Sequence, residues 1–374
     1  MVLVSLVLAA ILGMAGAWLL PYVTGLHRAA HVHLAFALGV MPLIMGAMTH
    51  FVPVLTRTRA APGVVEGYAA LAWVGGALIV VFFIFPMPEI LRSAAALPGL
   101  AACIGLLAWQ LMRSKEALGG AHPGVRWYLA ALLCLAASLL AVLAMSVWPQ
   151  QMPALKRLHL HLNLLGFVGL TAVGTLQVLL PTAAGHPDPQ IAHRLRAGLP
   201  AALGSTLLIA AGAAWLPPLS WLGLLLWLIP LGRLLRAWLA RYRNEIFCRH
   251  GAVPLLAMAL AGFSIALVAG GVHGAGRLDS VGIAHAFVFA FLFPLVSGAA
   301  GQLLPLWLRP GQQTEWHARA HRRLTYASGL RAALFLVAGL LALAGFKPAS
   351  WFALAALLPF ALAAFSLLRD ARRP

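Results

Sequence analysis

Apolar runs of about twenty residues recur along the whole chain, separated by short loops that carry its Arg, Pro and Gly residues. About twenty residues is the length a helix needs to cross the hydrocarbon core of a bilayer. Windows of about 19 residues predict twelve spans: Val2 to Leu20, His31 to Leu55, Tyr68 to Phe85, Ser93 to Met112, Trp127 to Trp148, His159 to Leu180, Leu199 to Leu216, Leu219 to Leu239, Val253 to Val272, Ile283 to Leu308, Leu324 to Phe346 and Trp351 to Leu368. The seventh and eighth are divided only by Leu216-Pro-Pro-Leu219. Nothing basic precedes the first apolar run and no polar cleavage region follows it, so it is taken as a helix rather than a signal peptide.

Composition agrees. Of 374 residues, 62% are hydrophobic and 9% charged, against about 25% charged in a typical soluble domain. The expected fold is an all-α integral membrane protein, residues 1–374 forming a single polytopic domain. A net charge of +18 suits a nucleic-acid binder only if the cations form a continuous stripe, and here they lie in short loops between spans. Six of them, Arg28, Arg92, Lys156, Arg157, Arg277 and Lys347, fall on one side of the twelve-span layout, and the other 20 of the 26 fall on the side of the termini. The positive-inside rule then places both termini in the cytoplasm of a bacterial-type inner membrane. Cys103, Cys134 and Cys248 are isolated, with none of the spacings of a disulfide framework, a zinc site or a c-type heme attachment.

An internal repeat is written into three of the spans. His33, Gly46 and Pro53, then His161, Gly174 and Pro181, then His285, Gly298 and Pro305, share one spacing: thirteen residues from His to Gly and seven more to Pro. The histidines are 128 and 124 residues apart with four spans in each interval, so the three helices point the same way and carry their His at the non-cytoplasmic end. This predicts a pseudo-threefold ring of four-helix repeats, about 29–150, 157–274 and 281–374, with helix 2–22 completing the last.

His31, His33, His159, His161 and His285 occupy the first turns of these spans, where an ionisable side chain costs free energy unless it has a partner. The two members of His-x-His point about 200° apart on a helix, so one helix cannot chelate a metal with both. Each imidazole faces a neighbouring helix instead, which suits bis-imidazole sites for a b-type heme iron or a copper ion. His50 lies about 25 Å from His33 along the same helix and belongs to a separate, structural polar level with Gln177 and Gln302. Met41, Met45 and Met48 could line a copper(I) path, although methionine at helical spacing is more often packing material. His27, His122, His186, His193, His250, His273, His317 and His321 are assigned no role.

All eight acidic residues fall in loops or at span ends, which leaves a carboxylate-based proton relay without residues. No nucleophile–base pair, P-loop or dinucleotide fingerprint occurs either.

Twelve spans, a threefold four-helix repeat and His residues at the outer ends of spans two, six and ten resemble subunit I of the heme-copper oxidases and nitric oxide reductases. The stretch from His159-x-His161-Leu-Asn-Leu-Leu-Gly166 through Gly174 to Leu-Leu-Pro181 is similar to shorter relatives of that group. The resemblance implies that spans two and ten supply the axial ligands of a low-spin heme, which by position are His33, or its neighbour His31, with His285. Span ten has one His where oxygen-reducing members carry two, and span seven has none where they carry a copper-ligating pair, so a conventional proton-pumping oxygen reductase is not expected. In length and in lacking the full oxidase ligand set the chain is closest in character to the NnrS family, which implies a b-heme inner-membrane protein, with copper as a second candidate metal, that handles or responds to nitric oxide. A heme-dependent oxidoreductase with a separate redox partner fits that picture. The competing class is a permease or assembly factor passing copper, heme or a small solute, in which the histidines bind transiently.

Overall fold

The computed structural model describes residues 2–19 and 28–371. The end of the first predicted span at Leu20 and its extension to residue 22, together with His27, Arg372 and Arg373, lie outside them. Every regular element among the described residues is helical. The long helices are α1 (Val2–Leu19), α2 (Arg28–Thr56), α3 (Gly63–Ile84), α4 (Ile90–Lys115), α5 (Gly124–Val147), α6 (Pro149–Ala184), α7 (Ile191–Ala214), α8 (Pro217–Arg241), α9 (Val253–Gly274), α10 (Ser280–Leu308), α11 (Glu315–Leu343) and α12 (Ala349–Ala371). Eleven of these, α2 to α12, are long and apolar enough to cross a membrane, and α1 is a shorter apolar helix. The Pro217–Pro218 junction does separate α7 from α8.

Helix ends depart from the predicted spans where polar turns extend an apolar core. The sixth span is expected from His159, but α6 begins at Pro149 and runs 36 residues, about 54 Å at 1.5 Å per residue. Its first turns hold Lys156 and Arg157, which a hydropathy window discounts. Arg157 also binds the end of α7, its Nε donating to Ala213 O at 2.6 Å and its guanidinium to Ala214 O at 3.2 Å. Those carbonyls have no partner within their own helix. Helix α11 breaks between Leu324 and Ser328, with Ala327 in the left-handed region at φ 49°.

The described chain divides into two compact units, one of residues 2–174 and 192–223, the other of residues 175–191 and 224–374. In the first, α3 packs on α4 and α4 on α5, while α1 and α5 lie against α2 and α6 respectively. In the second, α9, α10 and α11 pack on one another and α11 on α12.

Helices α2, α6 and α10 share a feature that no hydropathy pattern announces. Each switches from α to π hydrogen bonding just after its histidines, over Leu34–Val40, Leu162–Leu170 and Phe287–Leu292. A π segment widens the helix and turns carbonyls outward, and such segments cluster at functional sites. In α2 and α10 a proline follows two residues beyond the segment, Pro42 and Pro294, each lacking the N–H that the carbonyl four residues earlier would accept. Ala172 stands at that place in α6, so proline is not required for the π turn.

Glycines on the flanking helices make room for these segments. A methyl group on Gly13 of α1 would stand 2.8 Å from Leu34 O, and one on Gly76 of α3 would overlap Ala37 O. In the second unit, Gly262 of α9 faces Ala290 O, to which Pro294 has no N–H to offer, and Gly339 of α11 faces the Ala290 side chain. The glycines of the repeated pattern are close-approach points too. Gly46 lies against Leu6 of α1, Gly174 against Trp127 of α5 and Gly298 against Leu255 of α9. Each His-bearing helix therefore seats its Gly on the helix that precedes it, the small-residue packing that membrane helices use in place of a hydrophobic driving force.

Candidate metal-binding histidines

His33 and His159 come together in the first unit. Their rings are 6.5 Å apart, centroid to centroid, and nearly parallel at 14°. Phe83 of α3 also packs against His33, with ring centroids 4.8 Å apart.

The hydrogen bonds fix which nitrogen of each ring carries the proton. His33 Nδ1 lies 2.7 Å from Ala29 O one turn earlier, and a carbonyl only accepts, so Nδ1 holds the proton and Nε2 keeps its lone pair. His161 repeats the arrangement, with Nδ1 2.8 Å from Arg157 O. His159 is held by another helix. Its Nδ1 is 2.9 Å from Ser138 Oγ and 3.1 Å from Ser138 O, both on α5. Ser138 is fully buried and donates its own proton to His159 O at 3.2 Å, which leaves its lone pairs to accept from the imidazole N–H and from Asn163 Nδ2. Asn163, four residues after His159, also donates to His159 O at 3.1 Å. In all three rings Nε2 is left as the acceptor, the state in which imidazole binds a metal, and an Nδ1–H bond to a carbonyl or hydroxyl is the usual second contact of a ligating histidine.

The remaining two predicted histidines are placed differently. His31 has a buried Nδ1 with no hydrogen-bond partner among the described residues. His285, in the second unit, is half-buried and stacks on Phe289 one turn later, at 5.5 Å and 6°.

Two imidazoles that hold one metal ion between them at about 2.0 Å meet it edge-on, with ring centroids up to roughly 6 Å apart; those of His33 and His159 are 6.5 Å apart. No group of three or more His, Cys, Asp or Glu side chains converges among the described residues. The protein thus offers two neutral nitrogens at this point, a donor set suited to a group that brings further ligands of its own, such as heme iron, or to two-coordinate copper(I).

The methionines of α2 serve as packing: Met41, Met45 and Met48 are buried, and the Met48 sulfur accepts a hydrogen bond from Gln110 Nε2 at 3.4 Å. The cysteines are free thiols, and Cys103 donates to Leu132 O at 3.1 Å. His50 packs edge-to-face on Phe51 at 5.4 Å. Sequence reading missed Ser138, Asn163 and Phe83. The first two had a signal, as polar residues within apolar spans, Asn163 a helical turn from His159.

Compared with models of known protein families and with curated proteins, the chain matches none.

Proposed function

We propose that the chain is a heme b-binding redox protein of the inner membrane, with a fold like that of heme-copper oxidase subunit I and both termini in the cytoplasm. The observation that carries this reading is the parallel His33–His159 pair, with both Nδ1 positions hydrogen-bonded and both Nε2 lone pairs left over. The pseudo-threefold arrangement belongs to the same proposal. Its support is the π segment that α2, α6 and α10 each carry after the histidines, and the glycine seat each takes on its preceding helix. On that view α1 stands to α2 as α5 to α6 and α9 to α10, which is the vacant fourth place of the last repeat.

His33 and His159 would hold the metal through one nitrogen each, a pairing that departs from the His33–His285 pair implied by the resemblance. Heme iron there supplies one-electron transfer and, where a coordination position is open, binding of a small gas such as nitric oxide. The chain's residues set the stage. Ala29 O and the Ser138 hydroxyl fix the two ring orientations, hydrogen bonding at Nδ1 makes Nε2 more basic, and Phe83 covers the His33 ring. His31, His161 and His285 are candidate ligands for a second heme or for copper, the first two in one unit and the last in the other.

The test is the optical spectrum of detergent-purified protein, air-oxidised and dithionite-reduced, with iron and copper measured on the same sample. Wild type is expected to show reduced b-type bands that are lost in His33→Ala and in His159→Ala while the protein stays monodisperse. Loss in His33→Ala and His285→Ala with retention in His159→Ala would restore the pairing implied by the resemblance. A colourless wild type that carries copper would replace heme by copper. A wild type with neither metal, made under adequate heme and copper supply, would sink the reading in favour of a permease.

A further inference from the structure

The second unit holds a cleft of about 900 Å³, at the large end of small-molecule sites. Its floor is apolar, built from Leu235 and Leu239 of α8, Ala257 and Met258 of α9 and Ala333 and Leu336 of α11. One end alone is polar. There the loop after α8 brings Cys248, Arg249 and His250 against Tyr326, at the break in α11.

That rim is fixed in place. Gly329 N donates to Arg249 O at 3.2 Å, and a methyl on Gly329 would stand 2.5 Å from Cys248 O. Ala327 N donates to His250 Nδ1 at 3.1 Å, so a neutral His250 carries its proton on Nε2 and presents a donor. The Cys248 thiol donates to the carbonyls of His250 and Glu245. Glu245, the nearest carboxylate in sequence, is paired with His186 at 3.4 Å. Among the described residues the Arg249 guanidinium has no acidic partner.

A second feature lies one helical turn before the end of α8. Trp238, 1% exposed, forms part of the cleft wall, and its indole nitrogen, itself buried, has no hydrogen-bond partner among the described residues.

We propose that this cleft binds an anionic glycerophospholipid. Its phosphate would meet Arg249 and the His250 Nε2–H at the rim, and the acyl chains would follow the apolar floor between α8, α9 and α11. The rim presents a permanent cation and donors with no carboxylate facing it, which selects an anion over a neutral amphiphile such as a quinone. The loop after α8 lies on the arginine-rich side of the topology, where anionic headgroups attract juxtamembrane cations. The site is independent of the histidine site proposed above.

The experiment is melting of delipidated, detergent-purified protein on adding back phosphatidylglycerol or phosphatidylcholine in mixed micelles, with bound lipid counted by native mass spectrometry. Phosphatidylglycerol is expected to raise the melting temperature at about five-fold lower concentration than phosphatidylcholine, the factor one arginine near the headgroups supplies. Arg249→Gln should abolish that preference without changing the melting temperature of the delipidated protein. Ala333→Trp, at an exposed position of the floor, should blunt the response to both lipids. Equal responses of the wild type, a preference that survives Arg249→Gln, or a stoichiometric quinone that displaces phosphatidylglycerol would each overturn the proposal.

Discussion

Replacing Gly262 by alanine probes the contact between α9 and the π segment of α10. The added methyl would overlap the Ala290 carbonyl outright and stand 3.0 Å from Phe291 N. Both are backbone atoms, so no rotamer change relieves the overlap, and the two helices must part by more than about 1 Å. A gap of 0.5–1 Å already forfeits roughly a quarter to a half of each dispersion contact. The contacts at risk are those of Leu255, Leu256, Leu260 and Phe263, all fully buried on α9. A cost of about 3 kcal/mol follows, the upper end of ordinary overpacking, and the melting temperature in detergent should fall by about 4 °C. The internal control is Gly270→Ala on the same helix, where nothing stands within 4 Å of the added methyl. There the change should be neutral or slightly stabilising, since alanine is the better helix former. Equal melting temperatures for the two variants would refute the claim that Gly262 is required by the outward Ala290 carbonyl.

Three further outcomes are expected. Ser138→Ala removes the hydroxyl that orients His159, so metal affinity at the proposed site should fall about 10- to 100-fold with the fold intact; unchanged affinity by titration would show that Ser138 O alone suffices. Arg331→Lys should lower stability by about 1–3 kcal/mol, because the buried guanidinium donates both to Leu324 O at the break in α11 and to Ala356 O of α12, a fork that an ammonium cannot reproduce; an unshifted melting curve would count against the bridge. His122, in the loop before α5, has its pKa lowered from 6.5 by burial and then by Arg196 and Arg57, while its Nδ1 accepts the Gly124 N–H at 3.2 Å. The folded state therefore binds the proton less readily than the unfolded chain, so this residue costs stability as pH falls below 6.5 and contributes no pH dependence above it. The acid side of a stability-against-pH curve should flatten in His122→Asn, and superimposable curves would contradict the assignment.

The apolar helices and their approximate positions were legible, eleven of the twelve expected spans being long enough to cross a membrane, because in a bilayer every backbone polar group must be satisfied within its own segment. That constraint turns hydropathy directly into helices, and it held even for the short Leu216-Pro-Pro-Leu219 junction between α7 and α8. The place of the histidines was less legible: His159 was expected in the first turn of its span and lies ten residues into α6, which begins at Pro149. The recurrent Gly was visible as a spacing, and its meaning emerged only once Leu6, Trp127 and Leu255 were seen pressed against it.

What tertiary structure decided is which groups meet. A helical wheel gives His31 and His33 opposite directions and says nothing of the partner each one faces. The meeting of His33 and His159, and the choice of Nε2 as the acceptor nitrogen in each, come from the Ala29 carbonyl, from α5 presenting Ser138 and from α3 presenting Phe83. The π segments lay beyond sequence reasoning for the same reason. Intrinsic preference for an extra residue per turn is weak, and the outward carbonyls persist because glycines on the neighbouring helices accept them. The lipid cleft likewise joins a loop, a broken helix and a buried indole that lie up to about a hundred positions apart, and only the packing of α8, α9 and α11 makes one site of them.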